Sequence, residues 1–392
     1  MTKPVGPLCN LNCKYCFYLE KQRLFPAGHS LRMADDVLER YIRHYIESQP
    51  TEEVQFAWQG GEPTLLGVGF FKKAVALQKR FANGRRIQNA FQTNGTLLDD
   101  DWGAFLHENQ FLVGISIDGP RHIHDVYRTD KGGEPSFDQV VRGIEILKKH
   151  RVEFNTLTVV NRRNARHPLA VYRFLKQIGS GYIQFIPIVE REDETADGLA
   201  GPPDPNDETS LDHHVTPWSV RPIDYGNFLV SIFREWVKKD VGRIFVQMFD
   251  ATLASWAGER PGLCVFAPKC GTGLAMESNG DVYSCDHYVY PEYRIGNIMK
   301  GDFQEMIGSQ KQTKFGNDKS DALPDCCRRC AYRFACNGGC PKHRFLRSSD
   351  REPGLNYLCA GYRKFFRATE PHMKTMTRLL RAGRAPAEVM KR

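Results

Sequence analysis

The sequence predicts an α/β protein of six β/α units followed by a small cysteine-rich module. Up to about residue 190, short β-rich runs alternate with longer amphipathic stretches, the pattern of a parallel β/α architecture. The twelve cysteines fall into two groups, Cys9 to Cys16 and Cys264 to Cys359, with none between. The second group lies among turn residues with few long periodic runs, a composition that leaves little apolar core and makes a fold depend on bound metal.

The predicted strands are 1–5, 54–58, 87–92, 112–117, 154–159 and 182–187. Helical periodicity fills the gaps at 36–42, 69–81, 137–150 and 168–178. From Glu190 to Pro222 the chain is rich in Pro, Gly and Asp and has no period, so it reads as a long loop. A helix over 225–239 follows. The expected domains are 1–222, including that loop, a helical connector over 223–263, a cysteine-rich domain over 264–365 and a basic C-terminal helix over 366–392.

With 392 residues, 41% hydrophobic and 26% charged, the chain has the make-up of a soluble globular protein. No apolar stretch approaches the roughly 18 residues of a membrane span, and the N-terminus lacks the features of a secretory signal, so the cytoplasm is the expected compartment. The net charge of +8 gathers late, in Arg363 to Arg367 and Arg378 to Arg384. No nucleic-acid signature accompanies these stretches, which read as a solvated face; the field they create favours an acidic redox donor or an anionic cofactor. A disulfide framework suits small secreted chains, so so many thiols here point to metal or cluster ligation.

Cys9-x3-Cys13-x2-Cys16 directly follows the first strand. Three thiolates on one loop can hold three irons of a 4Fe–4S cluster and leave the fourth open to a small molecule. A closed zinc site needs a fourth ligand, and neither His29 nor His44 has the spacing. Three more motifs stand at the C-terminal ends of later strands, where β/α barrels place their active sites: Gly60-Gly61-Glu62-Pro63, Gln92-Thr93-Asn94-Gly95 and Ser116-Ile117-Asp118-Gly119-Pro120. The paired glycines let backbone groups approach a ligand closely. The later cysteines are Cys264, Cys270, Cys285, Cys326, Cys327, Cys330, Cys336, Cys340 and Cys359. Omitting one of the adjacent pair leaves eight, two sets of four, and spacing alone does not separate zinc from iron–sulfur.

The Cys9 loop, with Tyr15 before its last cysteine, resembles the SAM-cleaving motif of the radical S-adenosyl-L-methionine (SAM) superfamily, and the order of the later cysteines resembles a SPASM domain. The runs from Lys3 to Leu19, Trp58 to Leu65, Gln92 to Gly95, Ser116 to Pro120, Gln184 to Pro187 and Tyr283 to Asp286 resemble anaerobic sulfatase-maturating enzymes over essentially the whole chain. Members of that family usually carry several more residues before the Lys-Pro segment. The resemblance implies a partial (β/α)6 TIM-like radical SAM barrel and a C-terminal SPASM domain with two iron–sulfur clusters, three 4Fe–4S clusters in all. It assigns one auxiliary cluster to Cys264, Cys270, Cys285 and Cys340. The other falls to Cys327, Cys330, Cys336 and Cys359, with Cys326 spare because the x2 spacing to Cys330 favours Cys327.

The implied reaction is oxidation of a cysteine or serine in an unfolded sulfatase segment, Cys/Ser-x-Pro-x-Arg, to Cα-formylglycine. A 5′-deoxyadenosyl radical from SAM would take the Cβ hydrogen, Asp286 would act as general base, and a flavodoxin- or ferredoxin-type donor would supply electrons. By the same resemblance Gln59, Gln92 and Asn94 line the SAM and peptide site, with the Gly60, Gly61 and Glu62 turn gripping the SAM amino group. Ser116 and Arg142 contact the SAM carboxylate, with Arg128 an equally reasonable anion partner, and Tyr15 offers its backbone to the adenine. His124 reads as a loop brace. The rival expectations are another SPASM peptide modifier that forms thioether or carbon–carbon crosslinks, and a non-catalytic iron–sulfur or zinc electron carrier.

Overall fold

The computed structural model describes residues 1–391 except 27, 29, 193–198 and 204–213. Much of the expected 190–222 loop, and His29, therefore lie outside the described residues. The strands are β1 (Thr2–Lys3), β2 (Glu53–Trp58), β3 (Arg86–Thr93), β4 (Leu112–Ser116), β5 (Phe154–Val160), β6 (Tyr182–Pro187), β7 (Phe245–Val246), β8 (Ala275–Glu277), β9 (Asp281–Tyr283) and β10 (Arg294–Asn297). The chain divides into two compact units that do not follow its linear order. The first comprises residues 1–117, 124–155 and 271–316, and the second 118–123, 156–270 and 317–392.

In the first unit β1, β2, β3 and β4 run parallel, the arrangement the alternating sequence calls for. The helix Asp35–Ser48 buries Val37, Leu38, Tyr41, Ile42 and Ile46, an i, i+3/i+4 stripe. Tyr41 meets Phe56 and Trp58 edge to face at 5.7 and 5.8 Å. The sequence did not mark β8, β9 and β10, which are three or four residues long and embedded in turns. The last two continue the sheet from β8 in antiparallel pairs. β8 pairs parallel to β1, setting Thr2 opposite Met276 and Lys3 opposite Glu277. Part of the expected cysteine-rich domain thus belongs to the same compact unit as the first four strands.

In the second unit β5 pairs parallel with β6 from Thr156 opposite Ile183 to Val160 opposite Pro187, and β6 pairs with β7. The helix Cys359–Arg381 begins at a cysteine and runs through the expected boundary at 365/366. Its buried face presents Phe365, Phe366, Met373 and Met376. Phe365 stacks on Phe249 at 5.7 Å and meets Phe233 of the helix Pro222–Lys239 at 6.3 Å. The two helices touch backbone to backbone: a Cβ on Gly361 would lie 2.1 Å from the Pro222 carbonyl oxygen, and one on Gly226 2.8 Å from the Gly361 carbonyl oxygen.

That approach generates a test. A glycine-to-alanine change inside a helix ordinarily gains up to about 1 kcal/mol. Gly361→Ala meets a fixed carbonyl instead, and overpacking of this kind costs about 1–3 kcal/mol. Urea denaturation is expected to give a net loss of about 1 kcal/mol; a gain would contradict the contact.

Candidate active site

The first unit gathers the candidate site at the C-terminal ends of β1 to β4. The loop after β1 docks on the turn after β2: the Gly61 amide donates to Gly6 O at 2.8 Å and the Glu62 amide to Leu8 O at 2.9 Å. A Cβ on Gly61 would lie 2.0 Å from the Leu8 carbonyl oxygen, and Gly60 sits at φ 127°, so both positions require glycine. This clamp fixes the chain one residue before Cys9.

Glu62 is fully buried and acts as the hub of two motifs. One carboxylate oxygen accepts from the Thr64 amide (3.0 Å), the Thr64 hydroxyl (2.6 Å) and the Thr93 hydroxyl (2.7 Å). The other accepts from the Asn94 amide at 2.7 Å. Burial raises its pKa, against the downward pull of these donors. The Glu62 side chain thus joins the turn after β2 to the end of β3.

From there the network reaches the cysteine loop. Asn94 Nδ2 donates to Asn10 Oδ1 at 2.9 Å and approaches Cys9 Sγ at 3.8 Å. Asn94 Oδ1 accepts from the Thr96 hydroxyl, which accepts from Asn10 Nδ2. Leu11 N points at Cys9 Sγ from 3.4 Å. Burial first, then the nearby Glu62 carboxylate, push the Cys9 thiol up to about 11, and burial also raises Cys16. Across the loop, the Asn12 and Lys14 amides donate to Thr129 and Tyr127 carbonyls.

Tyr15 is buried, edge-on to Tyr127 at 6.0 Å, with the Arg128 guanidinium 5.4 Å above its ring. Arg142 is exposed and donates to the Thr96 carbonyl at 2.8 Å. Arg128 is buried beside the cysteine loop, where its charge acts on Cys16. Gln92 Nε2 donates to Ser116 Oγ at 3.1 Å, bringing two expected site residues together, and the Gln59 amide donates to Thr2 O at 3.0 Å. His124 is buried with Nε2 3.0 Å from the Ser136 hydroxyl, which donates to Arg128 O: the geometry of a loop brace.

Asp286 follows β9 and is ion-paired with Lys3 of β1. Lys3 is buried, its ammonium 4.0 Å from Glu277 and 3.4 Å from the Tyr18 ring centre. The Tyr18 hydroxyl bonds both Glu277 oxygens, at 2.5 and 2.6 Å. Sequence reasoning missed Lys3, Tyr18 and Glu277. The available signal was a lysine inside a predicted strand, since a buried cation demands an anion.

In the second unit, Cys264, Cys270 and Cys340 act on one another electrostatically, and so do Cys326, Cys327, Cys330, Cys336 and Cys359. Burial is the first cause that pushes Cys340 up to about 11 and Cys327 and Cys336 up to about 12. Lys319 donates to Cys264 O at 2.6 Å, and the Arg344 guanidinium bonds four carbonyls, those of Lys319, Asn337, Gly338 and Gly339. Two cations thus brace the loops that carry the first of these sets. Cys285 lies in the first unit, directly before Asp286.

All twelve cysteines are free thiols. Among the described residues no three His, Cys, Asp or Glu side chains converge on a single ion. Thiolates are the ligands of four-iron clusters, so these sets of mutually interacting thiols fit such groups. No described helix is long and apolar enough to cross a membrane.

The model of the radical SAM superfamily matches residues 4–175, and that of an iron–sulfur cluster-binding SPASM domain matches 264–331. Fold and thiol sets together define a radical SAM enzyme with a SPASM domain. The serine-type anaerobic sulfatase-maturating enzyme of Bacteroides thetaiotaomicron is 51% identical over 100% of this chain and 94% of its own length. The cysteine-type enzyme of Clostridium perfringens strain ATCC 13124 is 35% identical over 95% of this chain and 96% of its own. The solved structure of native anSMEcpe with bound AdoMet and Cp18Cys peptide superimposes with a TM-score of 0.83 at 34% identity, covering 96% of this chain and 98% of that one. The chain belongs to the anaerobic sulfatase-maturating enzymes.

The Glu62 hub is testable without any bound group. Glu62→Gln turns one of two pure acceptors into a donor facing donors, which leaves a buried amide or hydroxyl unpaired at a cost of about 1–3 kcal/mol. Chemical denaturation of the cluster-free protein is expected to show that loss, whereas an unchanged midpoint would contradict the hub.

Proposed function

We propose that the protein oxidises a serine side chain in an unfolded sulfatase segment to Cα-formylglycine without oxygen. The observation that carries this reading is the 51% identity, over the whole chain, with a serine-type maturase, against 35% for a cysteine-type one. The expected target is the Ser-x-Pro-x-Arg form of the sulfatase signature. The expected electron donor is of the flavodoxin or ferredoxin type, and the compartment is the cytoplasm.

Cys9, Cys13 and Cys16 hold the SAM-cleaving cluster, and the clamp of Gly61 on Leu8 supports this by fixing the chain at Cys9. Two further clusters fall to Cys264, Cys270, Cys285 and Cys340, and to Cys327, Cys330, Cys336 and Cys359. With SAM bound, the site supplies a 5′-deoxyadenosyl radical that removes one hydrogen atom from the substrate Cβ. Gly60, Gly61 and the Glu62 backbone bind the SAM amino group, with the buried Glu62 carboxylate setting their position. Ser116 binds the SAM carboxylate together with Arg142 or Arg128, and the Tyr15 backbone meets the adenine. Gln59 lines the SAM site, and Gln92 and Asn94 orient the peptide.

Asp286 takes the hydroxyl proton as the carbon is oxidised, and its pairing with Lys3 supports this by fixing the carboxylate's position. Overall the serine loses two electrons and two protons. One proton goes to Asp286, one proton and one electron leave together as the hydrogen atom recovered in 5′-deoxyadenosine, and the remaining electron would pass to the auxiliary cluster that Cys264, Cys270, Cys285 and Cys340 would hold.

The test uses the anaerobically reconstituted enzyme with SAM, dithionite and a peptide carrying the serine signature. The expected result is a loss of about 2 Da from the peptide, with 5′-deoxyadenosine formed alongside. Asp286→Asn is expected to slow peptide oxidation by about 10²-fold, a general-base contribution, while 5′-deoxyadenosine still accumulates. Deoxyadenosine without any change in the peptide, for the unsubstituted enzyme, would move the assignment to a thioether- or carbon–carbon-forming peptide modifier.

A further inference from the structure

The second unit carries an aromatic groove of about 860 Å³ walled by basic side chains, and nothing in the reaction above uses it. Its floor is Trp256, Tyr332 and Phe334. The Trp256 and Phe334 rings meet edge to face at 4.7 Å, and Phe334 is 51% exposed, unusual for so large an apolar side chain. One wall is the helix Cys359–Arg381, which contributes Lys374, Arg378 and Arg381, all exposed. Its one acidic lining residue, Glu370, is engaged by the Tyr332 hydroxyl at 2.9 Å and by Lys374 at 2.7 Å.

The groove adjoins the second set of thiols. Ala331 and Tyr332, both lining it, directly follow Cys330 in the chain, and the Arg333 amide donates to Cys330 O at 3.0 Å. The helix that walls the groove begins at Cys359, and exposed Arg363 and Arg367 extend its basic face toward that end. An apolar centre with a net positive rim is the anatomy of a transient docking surface, in which the rim steers encounter and the aromatics hold the complex.

We propose that this groove docks an acidic one-electron carrier, flavin- or iron–sulfur-bearing, that exchanges electrons with the group held by Cys327, Cys330, Cys336 and Cys359. The inference deepens the functional reading and rests on it for the presence of a redox group at those thiols. Charge complementarity selects the occupant: a carrier of this class with a negative face matches Lys374, Arg378 and Arg381. One electron moves per encounter, so the carrier's flavin hydroquinone becomes the semiquinone as the oxidised protein gains that electron.

The test measures binding of purified oxidised flavodoxin, itself acidic, to the reconstituted full-length protein by titration calorimetry at low and high salt. The triple charge reversal Lys374→Glu, Arg378→Glu and Arg381→Glu, all at exposed positions, is expected to weaken binding about tenfold or more and to abolish its salt dependence. Phe334→Ala is expected to weaken it at both salt concentrations. In stopped flow, the triple variant is reduced more slowly by flavodoxin hydroquinone and at the same rate by dithionite.

Unchanged flavodoxin affinity in both variants would overturn the proposal. So would flavodoxin binding that survives while the reversal removes binding to vesicles of anionic phospholipid, or a shift from dimer to monomer, which would assign the face to a membrane or to a second copy. Failure of dithionite-driven peptide oxidation sinks the functional reading alone, because the binding arms do not depend on it.

Discussion

The constraint on which the candidate site depends is the backbone contact between the loop after β1 and the turn after β2. With the Leu8 carbonyl oxygen 2.0 Å from where a Gly61 Cβ would be, no side chain other than hydrogen fits, and two amide–carbonyl bonds close the contact. Everything downstream inherits its position. Cys9 follows at once, and Glu62, immediately after Gly61, then ties the same turn to Thr93 and Asn94. A loop bearing three thiols has no regular structure to hold it, so its order comes from this clamp and from the Asn10, Asn94 and Thr96 network.

The thiols themselves are kept protonated where burial dominates, as at Cys9, Cys327, Cys336 and Cys340. Ligation requires the thiolate, so cluster assembly must expel those protons against the desolvation that raised them. The charge of bound iron offsets that cost, and Lys319 and Arg344 lie where they favour an anionic set over Cys264, Cys270 and Cys340. Binding and folding are therefore linked in these loops, as the scarcity of apolar residues there requires.

The six main strands were legible because alternation and β-branched residues mark them, and the motifs were legible because glycine, cysteine and short polar residues recur at strand ends. Strands β7 to β10 were not: two to four residues are too few to show a period, and their pairing is set by partners far away in sequence. Glu62 was read as a cofactor residue because its neighbours approach a ligand, while its own four donors include two from the end of β3, which local spacing does not reveal. The partner of Lys3 was invisible for the same reason: Asp286 lies 283 positions along the chain. Cys326 and Cys327 both stand near their set, so adjacency in the sequence translated into adjacency in space.

The central claim is that the clamped Cys9 loop, and no other thiol set, holds the cluster that cleaves SAM. Iron analysis and 5′-deoxyadenosine formation in the variant with Cys9, Cys13 and Cys16 all replaced by alanine test it most directly. The account predicts about eight irons in place of about twelve, with SAM cleavage abolished. A variant that keeps its full iron complement, or that still yields 5′-deoxyadenosine, would contradict it.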